Sequence, residues 1–308
     1  MKYHEPVLAA ESMEWLFHAD SEGEGTYIDA TFGGGGHSRL ILQRLNPQGA
    51  LFAFDQDADV LEHLPDDPRF TFIHHNFRYM REFMEFYGVE QVDGILADLG
   101  VSSHQLDTAE RGFSWRFEAA LDMRMSQDRK QTAADVLNTY SPEALQEVFS
   151  RYGELINSRS LAQHLAKARE KKPFKTIGDL LKEAEPFVRG HRPKYLAKLF
   201  QALRIEVNEE MEVLGDFLRQ SLDLLAPGGR LVVIAYHSVE DRLVKRFLKT
   251  GNPEGEVIKD EYGKILRPFK LLSRKPLLPS AEEIRRNPRA RSAKMRGGIV
   301  LRKNSPEP

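Results

Sequence analysis

The sequence predicts an α/β fold: a Rossmann-like, mostly parallel sheet with helices on both faces, interrupted by an all-helical insertion. Three observations predict it. Short apolar runs alternate with helix-forming stretches between residues 26 and 98. A glycine-rich turn follows the first of those runs, where a doubly wound sheet receives its ligand. Two β-like runs close the chain after a fifth strand, long after the alternation has been broken by helical sequence. At 308 residues the chain is long enough for one large domain or two ordinary ones. We divide it into a sheet domain made of residues 1–107 and 198–308, and a helical insertion of residues 108–197.

The elements follow in order. Candidate strands span 26–30, 50–55, 70–74 and 92–98, with helices near 36–45, 57–64 and 78–87. From 108 to 197 there is no convincing strand. Helical segments fall at 132–138, 142–152, 157–171, 176–184 and 194–208. Ser141-Pro142 has the cap-then-proline pattern of a helix start, and Leu161, Leu165 and Ala168 share one helical face. A helix over 209–225 leads to Ala226-Pro-Gly-Gly229, read as a tight turn, and then to a strand from Arg230 to Tyr236. A helix from Glu240 to Leu248 follows, and the β-like runs at 269–272 and 292–302 form a closing hairpin.

The stretch Thr26-Tyr-Ile-Asp-Ala-Thr-Phe-Gly-Gly-Gly-Gly-His-Ser38 is the most informative one. A backbone turning this sharply after a strand can approach a ligand closely, because glycine has no Cβ. A dinucleotide loop would need a third glycine where Ser38 stands. Read from Asp29, the pattern acid-x-Thr-x-Gly-x-Gly resembles the first motif of S-adenosylmethionine-dependent methyltransferases, with Thr31 in place of a glycine. The late hairpin agrees, since methyltransferase sheets typically end with an antiparallel last strand. About 20 residues on, Ala50–Phe54 ends at Asp55, where such sheets bond ribose hydroxyls. A glycine loop with no ligand or for another nucleotide, and a strand-end Asp that merely caps a helix, are the alternatives.

Composition narrows the chemistry. The chain is 41 % hydrophobic and 29 % charged, and no apolar run reaches the ~18 residues of a membrane span. The segment Met1–Glu11 has early acids and no apolar core of signal type, which makes the cytoplasm the expected location. There are no cysteines. That excludes disulfides, thiolate metal sites and the cysteine nucleophile that usually activates carbon 5 of a pyrimidine. A methyl acceptor should therefore already be nucleophilic, such as an amine or hydroxyl. Nothing in the sequence calls for a metal. The net charge of −2 conceals an asymmetry. Residues 264–303 carry thirteen Lys and Arg against Glu282 and Glu283, a local +11 that leaves −13 on the remainder. Such a block suits a polyanion, above all a nucleic acid, RNA or DNA, although a solvated basic tail has the same composition.

The fourth strand ends on Asp98 and opens into Asp98-Leu-Gly-Val-Ser-Ser-His-Gln-Leu-Asp107. Amino-group methyltransferases place an acid or amide here, usually followed by two prolines and an aromatic residue. This chain has the acid alone. Turn-forming Asp, Gly and Ser would also serve a plain loop.

From end to end the chain resembles the bacterial ribosomal RNA small subunit methyltransferase H family, also called MraW. The resemblance rests on Tyr3-His-Glu-Pro-Val-Leu8, Asp29–Ser38, Asp98–Asp107, Glu110-Arg-Gly-Phe-Ser114 and Leu121-Asp-Met-Arg-Met125. It continues through Phe200-Gln-Ala-Leu-Arg-Ile-Glu-Val-Asn208, His237-Ser-Val-Glu-Asp-Arg242 and Asn287-Pro-Arg-Ala-Arg-Ser292. It implies transfer of a methyl group from S-adenosylmethionine to the exocyclic N4 of a cytidine in the decoding region of 16S rRNA. By position, Gly35, Gly36, His37, Asp55, Phe77, Asp98 and Gln105 are the implied cofactor contacts. His104 stands where the family often has proline, Tyr236 is the aromatic before His237, and Val239 replaces a usual leucine.

Cytosine N4 is a poor nucleophile because its lone pair is shared with the ring. Hydrogen bonds accepted from its N–H groups favour pyramidalisation as the methyl arrives. Asp98 is the first candidate for that role. His237 and Asp241 are further catalytic candidates for substrate contact or proton removal, with helix capping as the alternative for His237. Ribose 2′-hydroxyl methylation would call for a catalytic lysine, and an RNA-binding assembly factor would keep the fold without the reaction. The expected partner is 16S rRNA or the small ribosomal subunit, with monomer or homodimer left open.

Overall fold

The computed structural model describes residues 6–18 and 20–301. Tyr3, His4 and Glu5 of the first resembling motif, and Arg302 and Lys303 of the basic block, lie outside the described residues. The chain packs as two compact units, Met1–Gly100 with Glu212–Pro308, and Val101–Met211. The second unit thus begins earlier and ends later than residues 108–197.

The first unit is built on strands β1 (Thr26–Asp29), β2 (Ala50–Asp55), β3 (Phe70–His74), β4 (Val92–Asp98), β5 (Leu225–Ala235), β6 (Phe269–Leu271) and β7 (Lys294–Val300). They form one sheet in the order β3-β2-β1-β4-β5-β7-β6. The pairs among β1 to β5 are parallel, and β7 runs antiparallel between β5 and β6. The predicted Rossmann-like sheet with an antiparallel closing hairpin is therefore present. Burial runs nearly unbroken along β1, β2 and β4, as expected of strands covered on both faces.

Three helices belong to the N-terminal half of this unit: α1 (Ala9–Leu16), α2 (Gly36–Arg44) and α3 (Met80–Phe86). Helix α1 was not expected from sequence. It starts after Leu8, which takes a left-handed φ of 52° and offers no side-chain cap, so the usual start signal is missing. Met13 and Leu16 nevertheless bury against Tyr27, Ile41, Leu45, Val232 and Met295. The helix expected near 57–64 is a 3₁₀ segment, Ala58–His63. Leu64 is extended at φ −62°, ψ 133°, as the residue before Pro65 must be, and the run left before it is too short for stable α-turns.

The second unit holds α4 (Ser103–Asp107), α5 (Ala133–Thr139), α6 (Pro142–Arg151), α7 (Ser158–Lys171), α8 (Ile177–Ala184) and α9 (Arg192–Asn208). Among its described residues the only β pairing is an isolated bridge between Ala120 and Thr176. Ser141 caps α6 as predicted, its Oγ accepting the Ala144 N–H at 3.1 Å. The buried stripe of α7 is Leu161, Ala162, Leu165 and Ala166, while Ala168 is only half-buried.

Two of the motifs behind the family resemblance meet inside this unit. Asn208 Nδ2 donates to the Met123 and Arg204 carbonyls at 2.8 and 2.9 Å, and its Oδ1 accepts the Met125 N–H at 2.8 Å. Met123 sits at φ 63°, a conformation that this amide helps to hold. Asn208→Leu should cost about 2–4 kcal/mol, because it leaves buried backbone groups without partners. Urea unfolding of the variant reads this directly, and an unchanged midpoint would show the contacts to be dispensable.

Helix α10 (Glu210–Leu224) leads into β5, and α11 (Ser238–Thr250) and α12 (Ala281–Arg286) complete the fold. The predicted Pro-Gly-Gly turn lies inside β5 rather than before it. Leu225 pairs with Val92 and the next registered pair is Arg230 with Gly94, so Ala226–Gly229 bulge out of one long strand. Among the described residues no helix is long and apolar enough to cross a membrane.

Candidate active site

Parallel strands deliver their carboxyl ends to one edge, and here that edge gathers acids. Asp29 ends β1, Asp55 ends β2 and Asp98 ends β4, with Tyr236 just past β5. The strand order reverses at β1, between β2 and β4, which is where a doubly wound sheet opens its ligand crevice.

The glycine loop is held from both sides. Gly35 takes φ 74° as the cap residue of α2, and a Cβ there would lie 2.7 Å from Phe32 Cζ. A Cβ on Gly36 would lie 3.1 Å from Pro6. By contrast, Cβ atoms on Gly33 and Gly34 would meet no described atom within 4 Å, so this part of the loop presents bare backbone to open space. The departures from the usual glycine pattern have structural work of their own. Thr31 Oγ1 accepts the Asp98 N–H at 2.7 Å, tying the loop to β4. Ser38 Oγ donates to Asp29 Oδ2 at 2.7 Å, and Asp29 Oδ1 accepts the Thr31 N–H at 3.1 Å. Burial pushes the Asp29 carboxyl up, against the pull of His37 and these donors.

Asp55 is partly exposed at the end of β2. Its Oδ2 accepts the Gly33 N–H at 2.8 Å and its Oδ1 the Asp57 N–H at 2.9 Å, so it also fixes the loop. Lost hydration pushes it up to about 6, opposed by those two amides. Phe77 lies at the start of a 3₁₀ turn after β3, half-buried, edge-on to Phe217 with centroids 5.2 Å apart.

Asp98 is the centre of the site. Tyr236 Oη donates to its Oδ1 at 2.7 Å, and His37 Nδ1 stands 3.7 Å from its Oδ2. His37 is buried, and its Nε2 lies 3.0 Å from the Val7 carbonyl. Since a carbonyl only accepts, Nε2 carries the proton. Burial pushes the Asp98 carboxyl up to about 6, while His37 and the Tyr236 hydroxyl pull it down and Asp29 and Glu240 push it up. Burial and the neighbouring Asp98 raise the Tyr236 phenol well above its ordinary value.

The structure brings Gly35, Gly36, His37, Asp55 and Asp98 to the carboxyl edge of one unit. His237 and Asp241 are engaged elsewhere. His237 Nδ1 accepts the Glu240 N–H at 3.3 Å and caps α11, with Glu240 Oε1 3.0 Å from its Nε2 outside hydrogen-bonding geometry. Asp241 takes the Arg296 guanidinium at 2.6 and 3.3 Å. Gln105 lies in the second unit, where it and Ser102 cap α4 reciprocally, each backbone N–H donating to the other's side chain at 3.1 Å. Sequence reasoning missed the Tyr236 hydroxyl, whose only signal was an aromatic one residue from a motif. It also missed Glu240, which accepts the Tyr236 N–H at 2.9 Å.

Residues 1–301 match the sequence profile of the MraW methylase family. The ribosomal RNA small subunit methyltransferase H of Parabacteroides distasonis is 56 % identical, with 96 % of each chain covered. That of Bacteroides thetaiotaomicron is 53 % identical over 96 % of this chain and 97 % of its own. Among solved structures, TrmN from Thermus thermophilus is similar at 13 % identity and a TM-score of 0.43, over 96 % of this chain and 48 % of its own.

Proposed function

The chain belongs to the MraW methylase family, and we propose that it methylates the exocyclic N4 of a cytidine in the decoding region of bacterial 16S rRNA. The residues present suit S-adenosylmethionine. Gly33 and Gly34 leave a bare, open stretch of backbone, Asp55 keeps acceptor capacity beside it, and Phe77 adds an aromatic surface. When bound, this cofactor supplies an electrophilic methyl on a sulfonium.

The observation that carries the reading is Asp98, a carboxylate at the crevice with one oxygen fixed by Tyr236 and no cysteine anywhere in the chain. Such a group accepts a hydrogen bond from an amine and does little for a ring carbon. Its protein neighbours hold it in place, so the amine pyramidalises against a preorganised acceptor. Purified protein, labelled S-adenosylmethionine and small subunits lacking the modification test the reaction. Label in N4-methylcytidine supports the reading, and label in any other nucleoside refutes it.

The RNA would approach along the basic segment. Arg285, Arg289 and Arg291 are exposed on and just after α12. That segment reaches the carboxyl edge of the sheet, since Glu283 accepts the Leu8 N–H at 2.7 Å and Lys294 pairs with Ala235. RNA affinity should fall steeply with salt, and each of these arginines changed to Ala should flatten the log–log slope by roughly 0.7. A slope indifferent to the three substitutions would take this surface out of RNA binding. We place the reaction in the cytoplasm, with the rRNA or the assembling small subunit as partner.

A further inference from the structure

Asp98 Oδ2 and His37 Nδ1 face one another at 3.7 Å, and in the neutral form of His37 both are acceptors. The Val7 carbonyl fixes the ring proton on Nε2, which leaves the Nδ1 lone pair directed at the carboxylate. Oδ1 is already taken by the Tyr236 hydroxyl, and the Asp98 backbone N–H by Thr31. The pair therefore has room for one more proton between Oδ2 and Nδ1, and no described side chain supplies it.

We propose that Tyr236 and His37 make Asp98 a one-proton relay: Tyr236 locks the carboxylate, and His37 takes the proton that Asp98 collects from the amine. The inference rests on the N4-amine reading given above. The N4 lone pair bonds the methyl as the methyl–sulfur bond breaks with its electron pair left on sulfur; an N4–H bond breaks, its pair stays on nitrogen, and the proton moves to Asp98 Oδ2. That O–H then points at His37 Nδ1. Transfer breaks the O–H bond, forms Nδ1–H and restores the carboxylate beside an imidazolium; once the product has left, the proton returns to Oδ2 and passes to water from the partly exposed Asp98. The 3.7 Å separation has to close by somewhat under an ångström, a tightening usual when a site takes its substrate.

Both side chains act through Asp98, and so both are positioning residues. The titratable groups facing Asp98 are His37 from α2, Asp29 from β1, Tyr236 after β5 and Glu240 from α11, with Glu283 of α12 acting on Tyr236. Gly100, beside the Tyr236 ring, sits at φ 106°, a backbone conformation that L side chains rarely adopt.

Three measurements test the relay. Carboxyl ¹³C NMR of the cofactor-free protein should show Asp98 titrating near 6, and Tyr236→Phe should raise its midpoint by about one unit through loss of a donor. An unmoved midpoint overturns the lock. ¹⁵N NMR of the wild-type protein should find the neutral His37 ring carrying its proton on Nε2, and the opposite tautomer overturns the acceptor. His37→Gln keeps a donor for Val7 but no basic nitrogen. Its single-turnover methyl transfer at saturating cofactor should slow about 100-fold and lose the wild-type pH profile, whereas a wild-type rate and pH profile overturn the relay. If the wild-type protein puts no methyl on 16S rRNA, the N4-amine reading fails, while both NMR results still decide whether the carboxylate is held as described.

Discussion

Asp98→Asn should slow methyl transfer by about 100-fold or more, the scale set by deleting one preorganised electrostatic contact to a reacting group. The geometry explains why so conservative a change does this. Tyr236 donates to one Asp98 oxygen and His37 offers a lone pair to the other. In the amide, the carbonyl oxygen turns to Tyr236 and the NH₂ to His37. No atom is then left that can both accept from the substrate amine and take its proton. Cofactor affinity should fall by less than about tenfold, because the amide retains an acceptor. Single-turnover rates at saturating cofactor and RNA measure the effect. Wild-type rates in the variant would remove Asp98 from the chemistry.

Asp55→Ala should weaken S-adenosylmethionine binding by about 2–3 kcal/mol, roughly 30–150-fold, and leave RNA affinity within twofold. The alanine loses the acceptor proposed for ribose hydroxyls and also the carboxylate that now holds the Gly33 and Asp57 amides. The pH dependence has a definite sign. Burial raises Asp55 to about 6 in the cofactor-free protein. Hydroxyl donors bond best to the ionised form, so affinity should rise as pH goes from 5 to 7 and fall below that window. Asp55→Asn should flatten the rise and leave the smaller part due to Asp98. Calorimetry across this range checks both statements, and an affinity independent of pH in the wild-type protein would deny Asp55 its ribose role.

Most of the sheet could be read from sequence because its signals are local. β2, β3 and β4 end where the apolar runs end, and Ser141 announces α6 by its own side chain. What could not be read depends on partners far away in the chain. Helix α1 has no cap and is recognised only by what Met13 and Leu16 bury against. Pro227 and its glycines look like a turn, yet pairing with β4 on both sides keeps them inside β5 as a bulge.

The candidate site divides in the same way. Asp29, Asp55, Asp98 and the glycine loop follow from position at strand ends. Their partners do not. Ser38 appeared in sequence only as the missing glycine of a dinucleotide loop, and in the structure it anchors a buried acid. His237 and Asp241 looked reactive because a His and an acid follow a strand. Their side chains instead cap α11 and pair with Arg296, contacts that no local spacing reveals.

Quantitative nucleoside mass spectrometry of 16S rRNA from cells lacking this protein, with the wild-type and Asp98→Asn genes restored in parallel, reads the reaction and the role of Asp98 together. N4-methylation of one cytidine should disappear, return with the wild-type gene and stay absent or strongly reduced with the variant. Undiminished N4-methylation at every cytidine in the deletion strain would contradict the proposed reaction.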